Sequence, residues 1–145
     1  MTSPQIEIRH VKESELEEAQ RVEDEAWGAL TGTLEDLQNV FQTFPDGFFT
    51  AFVDGRAAGN VYSCLLDYDL NHPIPSWAKA TGSGSIDNHN PNGDTVMTVA
   101  LGVAPQYRGA KLGSLLIQRL QAMCVVINHA SIVLGARIPF YHKYP

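Results

Sequence analysis

The sequence predicts one α/β domain of the mixed (α+β) kind, a sheet flanked by helices. Three observations carry this. Apolar segments of strand and helix period follow one another in the order strand, helix, helix, three strands, helix, strand. Two of the strands flank Asp54-Gly55, a two-residue hairpin turn, which makes them antiparallel. The chain has 145 residues, 44% of them apolar, which suits a single domain (1–145) with one main core.

The elements follow in order. Ile6, Ile8 and Val11 mark a first short strand. Ser14-Glu15-Leu16-Glu17 reads as a capping box, with Ser14 as N-cap and Glu17 as its partner. The helix it opens carries Leu16, Ala19, Val22, Ala26 and Trp27 at helical spacing, and Gly28 ends it. Thr33 with Asp36 starts a second helix with Leu34, Leu37, Val40, Phe41 and Phe44 as its apolar stripe, stopped by Pro45. Phe48 to Val53 and Ala57 to Leu66 are the hairpin strands. Asp67 to Asp94 is irregular, punctuated by Pro73, Pro75, Gly82, Gly84, Pro91 and Gly93; a loop of this length in a compact domain carries function or moves. Trp77 either anchors that loop or plugs the core. Asn90-Pro91-Asn92-Gly93-Asp94 turns into a strand from Thr95 to Val103. A helix from Leu112 to Cys124 presents Leu112, Leu115, Leu116, Leu120 and Met123, and Ile132, Val133 and Leu134 form one more strand.

Composition excludes several function classes. A net charge of −6 argues against a nucleic-acid surface, which needs a basic face. No run of about eighteen apolar residues occurs, so no membrane span is expected. Met1 to Gln5 is polar and has no apolar signal core, which makes a cytoplasmic protein the default expectation. Cys64 and Cys124 have no metal-ligand spacing and read as buried, inert thiols. The five histidines form no His-x-x-x-His pair, so no metal is expected; His72, His89 and Asp94 share the long loop, but their spacing argues no site.

Chemistry concentrates between Val99 and Gly113. There an apolar strand runs into a Gly/Arg/Lys turn and then a helix start, which offers unpaired N–H groups and a positive dipole end. Arg108 and Lys111 at that end are unfavourable by themselves. An anion such as a pyrophosphate would relieve the conflict; a tight turn with two solvated cations is the other reading. The segment is neither a Walker loop nor a Gly-x-Gly-x-x-Gly fingerprint.

Val103-x-Pro105-x-x-Arg108-Gly109-x-x-x-Gly113-x-x-Leu116 resembles the acyl-CoA signature of the GNAT superfamily of N-acyltransferases. The element order fits that family too, whose fold is a mixed, mostly antiparallel sheet with a splayed central strand at the acyl-CoA site. The resemblance implies acetyl-CoA as acyl donor. A backbone N–H at Leu101 or Gly102 would polarise the acyl carbonyl, and Val103 would pair with the pantetheine arm. Arg108, Gly109, Ala110, Lys111, Leu112, Gly113 and Ser114 would surround the pyrophosphate. Lys111 departs from the pattern, standing where the family often has glycine. The family's general acid, a tyrosine, maps best to Tyr141, with Tyr144 second. No Glu or Asp stands inside the strand from Thr95 to Val103, so the base stays open among Asp94, His89, His129, a water relay and an amine that enters unprotonated.

The expected function is therefore transfer of an acetyl group from acetyl-CoA to the primary amine of a small molecule. The alternatives are an inactive acyl-CoA-binding or regulatory module and a protein-interaction domain with no ligand. The family normally continues with another helix and two strands beyond the position of Pro145, so the domain is expected to be short at its C-terminal side. The Thr95 to Gly113 segment, with Arg137-Ile138-Pro139-x-Tyr141-His142, resembles GNAT domains fused to carbon–nitrogen hydrolase modules. A sheet edge left open there would favour a homodimer.

Overall fold

The computed structural model describes residues 3–127 and 131–134, the side chain of Leu134 excepted. Five strands form one sheet in the order β1-β2-β3-β4-β5: Ile6–His10, Phe48–Val53, Arg56–Leu66, Thr95–Val103 and Ser131–Leu134. The first four pair antiparallel, and β5 runs parallel to β4. Asp54 and Gly55 both have positive φ, as a two-residue hairpin twisted with its strands requires.

Helices cover both faces. Strand β3 is buried along all but its first residue and, from Asn60 to Leu66, divides its side chains by parity. Tyr62, Cys64 and Leu66 pack with α1 (Leu16–Trp27) and α2 (Leu34–Thr43) on one face. Val61 and Leu65 pack with α4 (Leu112–Val126) on the other, where Leu112, Leu116 and Leu120 are fully buried. Alternation at period two therefore builds two apolar layers from one strand. No described helix is long and apolar enough to cross a membrane.

Three sequence expectations change. Ser14 and Glu17 do not form the capping box. Residues Glu13–Glu15 make a 3₁₀ turn, and the Glu15 carboxylate accepts from the Lys12 N–H at 2.9 Å while also gripping Arg9. Glu15 gains an ion pair there with Arg9, which Glu17, two residues further on, does not have. The helix read as Leu112 to Cys124 continues to Val126, because its last two valines extend the turn although they are exposed. The loop from Asp67 to Asp94 is not irregular throughout: Trp77–Thr81 is a short helix, α3, capped by the Ser76 hydroxyl accepting from the Lys79 N–H. Burial of Ala80 and Ile86 pins this stretch to the α1/α2 layer. Thr33 and Asp36 do form the second capping box as expected.

Candidate active site

The turn before α4 is built as a cradle. Arg108 Nε donates to the Val103 carbonyl at 3.2 Å, which folds the turn back onto the end of β4. Gly109 has φ +94° and open space where a side chain would stand. Lys111, the N-cap of α4, has φ +62° and no side-chain oxygen to cap the first-turn N–H groups. Beside them lies a cavity of about 230 Å³ lined by Val103, Tyr107, Arg108, Gly109, Lys111, Leu112, Gly113 and Ser114. Two cations and no carboxylate line it. An anion with several oxygens fits this set, since it would take the free amides and offset both charges.

The left-handed backbone explains why glycine suits the position of Lys111: a side chain there costs about 1 kcal/mol. Lys111→Gly is expected to leave urea stability equal or raised by up to about 1 kcal/mol while lowering affinity for a polyanion. A clear loss of stability would show that the lysine side chain, not the backbone, holds the turn.

On the α1/α2 face a larger cleft of about 950 Å³ runs beside β4. Trp27, Leu30, Leu37 and Trp77 supply apolar wall, and Glu23, Asp36, Tyr62 and Thr98 supply polar groups. Its β4 side is irregular. Tyr62 faces Ala100 and Ser63 faces Thr98 across the strands, so Val99 is an extra residue, a bulge of the kind found beside active sites. Trp77 Nε1 donates to the Val99 carbonyl at 2.8 Å, which settles its role as the anchor of the long loop. The Thr98 hydroxyl is buried and has no hydrogen-bond partner among the described residues.

Glu23 is the group that residue patterns alone did not single out. It lies on the apolar stripe of α1, seven residues after Leu16 and four after Ala19, where a carboxylate is out of place; that misfit was the available signal. It is 3% exposed. Asn60 Nδ2 donates to its Oε1 at 3.0 Å and the Tyr62 hydroxyl donates to its Oε2 at 3.4 Å. Thr50 donates to Asn60 Oδ1 and fixes the amide. Burial outweighs these donors and pushes the Glu23 carboxyl up to about 7. Burial and the nearby carboxylate push the Tyr62 phenol up as well.

The other sequence candidates separate. Val103, Arg108, Gly109, Lys111, Leu112, Gly113 and Ser114 line the small cavity, Ala110 is exposed outside its lining, and Leu101 lines the large cleft. Gly102 lies between the two, and a Cβ on it would come within 2.8 Å of Trp27 Nε1. His72, His89 and Asp94 do not form a site. His72 pairs with Asp69, and His89 Nδ1 accepts from the Leu65 N–H, so burial keeps its pKa low. Asp94 accepts from the Tyr68 N–H and the Thr95 hydroxyl. Tyr141, Tyr144 and His129 lie outside the described residues. Cys64 and Cys124 are buried, and burial pushes the Cys64 thiol up to about 12, which leaves it inert. Among the described residues no group of three or more His, Cys, Asp or Glu is placed to hold a metal ion.

No family model matches the chain. A Bacillus subtilis (strain 168) protein, the uncharacterized N-acetyltransferase YkwB, is 30% identical over 144 residues, 96% of this chain and 64% of that one. The loading GNATL domain of CurA from Lyngbya majuscula superposes with a TM-score of 0.80 at 19% identity, over 97% of this chain and 69% of that one. The chain has the GNAT fold and is similar in sequence to an N-acetyltransferase. Its five-stranded, mostly antiparallel sheet with flanking helices is the GNAT fold. GphF, a GNAT-like decarboxylase in complex with isobutyryl-CoA, matches with a TM-score of 0.77 at 23% identity, over 94% of this chain and 69% of that one. The aminoglycoside acetyltransferase AAC(6')-Iy, bound to a CoA bisubstrate analogue, matches at 0.67 and 16%, over 97% and 85%. A second B. subtilis relative, the probable hydrolase YhcX, is 31% identical over 138 residues, 94% of this GNAT domain and 27% of that protein. The chain thus spans less than two thirds of both curated relatives.

Proposed function

We propose that this GNAT domain is an acyl-CoA-dependent N-acyltransferase that moves an acetyl group from acetyl-CoA to the primary amine of a small molecule. One observation carries the reading: a cation-lined, carboxylate-free cradle at the start of α4 lies at one end of β4, and an acidic, apolar-walled cleft lies beside the bulge of the same strand. Anionic donor and cationic acceptor would thus meet along one strand. The name of YkwB and the CoA-bound GNAT neighbours favour the same chemistry.

Each group has a task in this reading. Arg108, Lys111 and the amides of Gly109, Ala110, Leu112, Gly113 and Ser114 hold the pyrophosphate. The β4 backbone at Val103 aligns the pantetheine arm, and an N–H at Leu101 or Gly102 donates to the developing oxyanion. The amine nitrogen attacks the thioester carbonyl, the C–S bond breaks, and the electron pair leaves with sulfur. Tyr141 is the proposed donor of the proton the thiolate takes. Holding amine and thioester side by side on β4 supplies much of the rate.

Acetyl-CoA at a hundred times its Kd is expected to add about 2.7 kcal/mol of native stability, read as a rise in Tm by thermal shift. Thiol release over a panel of amines then separates an enzyme from a binding module. No rise in Tm at millimolar acetyl-CoA rejects the reading; a rise with no thiol release from any amine leaves only acyl-CoA binding.

A further inference from the structure

We propose that Glu23 is the acceptor-binding carboxylate of this domain: it holds the ammonium group of the substrate and takes the proton that frees the attacking lone pair. The proposal rests on the acyl-transfer reading above.

The geometry around Glu23 leaves one role unfilled. Two donors reach the carboxyl group and both are neutral: the Asn60 amide and the Tyr62 hydroxyl. The charged groups near it from its own helix and from α2 are Asp24 and Asp36, both acidic. The part of β4 on the cleft, Thr98 to Leu101, carries no titratable side chain, and neither do Trp77, Ser83 and Gly84 of the long loop. Among the described residues, no Lys, Arg or His lines the cleft. A buried carboxylate without a cation is strongly disfavoured. The open side of Glu23 faces a cleft large enough for a ligand, so the missing cation belongs to the occupant.

The same lining names the acceptor class. Trp27, Leu30, Leu37 and Trp77 are apolar, and Asp36 adds a second negative charge near the rim. A primary ammonium on an apolar body fits. An amine that carries its own carboxylate does not, because it would bring a third negative charge into a site with no cation.

The proton balance closes without a further reagent. Glu23 takes one proton from the ammonium and leaves a neutral amine. The N–C bond forms, the C–S bond breaks, Tyr141 passes its proton to the thiolate as proposed above, and the second amine proton restores the Tyr141 hydroxyl. Glu23 then returns its proton to solvent through the cleft. A carboxyl near pH 7 suits this exchange, since it is ionised in part of the population and basic enough to accept.

The test uses the full chain, acetyl-CoA, and a panel of 2-phenylethylamine, tyramine and hexylamine, with phenylalanine as the carboxylate-bearing match for 2-phenylethylamine. Thermal shift with acetyl-CoA is measured first; its absence rejects the acyl-CoA reading itself. With that shift present, at least one panel amine is expected to release CoA thiol, with phenylalanine at least tenfold poorer in kcat/KM than 2-phenylethylamine. Glu23→Gln is expected to keep the acetyl-CoA shift and lose a hundredfold or more in kcat/KM. The pH profile of the parent should show an acid limb near 7 that Glu23→Gln lacks. Tyr62→Phe removes a donor to the carboxylate and should move that limb to higher pH, a displacement that a merely structural Glu23 would not produce. The proposal is overturned by an unmoved limb, by Glu23→Gln within threefold of the parent, by phenylalanine equal to 2-phenylethylamine, or by acetyl-CoA binding with no panel amine turned over.

Discussion

Relative to Glu23→Gln, the parent is expected to lose urea stability as pH rises between about 5 and 7.5. The sign follows from proton binding. In the unfolded chain the Glu23 carboxyl titrates near 4.5; in the fold, burial pushes it up to about 7. Between those values the folded protein holds a proton that the unfolded chain has lost. The stabilisation is complete below about 4.5 and is lost as pH climbs through 7. Its size is about 3 kcal/mol, a large share of the 5–15 kcal/mol typical of a domain. His89 acts in the opposite sense: burial lowers its pKa from 6.5, so it adds stability as pH rises toward 6.5, equally in parent and variant, and the difference between the two isolates Glu23. Glu15 and Glu25 are held below the usual carboxylate range by Arg9 and Arg21, so they stabilise the fold as pH rises, but only below about 4.5. The parent's advantage from a protonated Glu23 should therefore be greatest at mildly acidic pH, and its decline above that, measured against Glu23→Gln, belongs to one residue. Melts of parent and Glu23→Gln at pH 5, 6, 7 and 8 measure it directly, and a difference between the two that stays constant across that range would mean that Glu23 is ionised in the fold throughout.

The same residue shows what a sequence can and cannot reveal. Every strand and the three longer helices were legible, because each has a period, a cap or a stop that acts locally: Asp54-Gly55 for the hairpin, Thr33 with Asp36 for α2, Pro45 for its end. The cradle was legible for the same reason, since Arg108, Gly109, Lys111 and Gly113 are neighbours along the chain. The cleft was not. Glu23, Asn60, Tyr62 and Trp77 come from α1, β3 and α3, and only tertiary packing brings them together. Short α3 was hidden because one turn capped by Ser76 has no periodicity to detect; burial of Ala80 holds it. The sequence offers Asp94, His89 and His129 as bases, whereas the carboxylate facing the cleft stands on the apolar side of α1, where helical periodicity signals burial rather than chemistry.

Leu116→Ala is the second large effect expected, at about 2–5 kcal/mol. Leu116 is fully buried in the second turn of α4, between Leu112 and Leu120, and packs on the β-sheet face formed by Phe49, Ala51, Val61, Leu65 and Val96. Its Cδ1 comes so close to β3 that a Cβ on Gly59 would stand 3.2 Å from it. The leucine thus fills the space that Gly59 leaves, and truncation opens a cavity that the sheet cannot collapse to fill, because Gly59 is paired to both Ala51 and Val103. Volume, not polarity, should set the cost, so Leu116→Met is expected to lose less than about 1.5 kcal/mol. The placement ties stability to function. Leu116 lies one turn from the start of α4, whose free amides belong to the cradle, and Gly59 pairs with the strand residue proposed to align the pantetheine arm. Loosening this contact should weaken acetyl-CoA binding through the position of α4, although Leu116 does not line the small cavity. Urea melts with and without acetyl-CoA separate the two effects. A ligand-induced gain equal in Leu116→Ala and parent would show that the cradle holds its shape independently of the helix packed behind it.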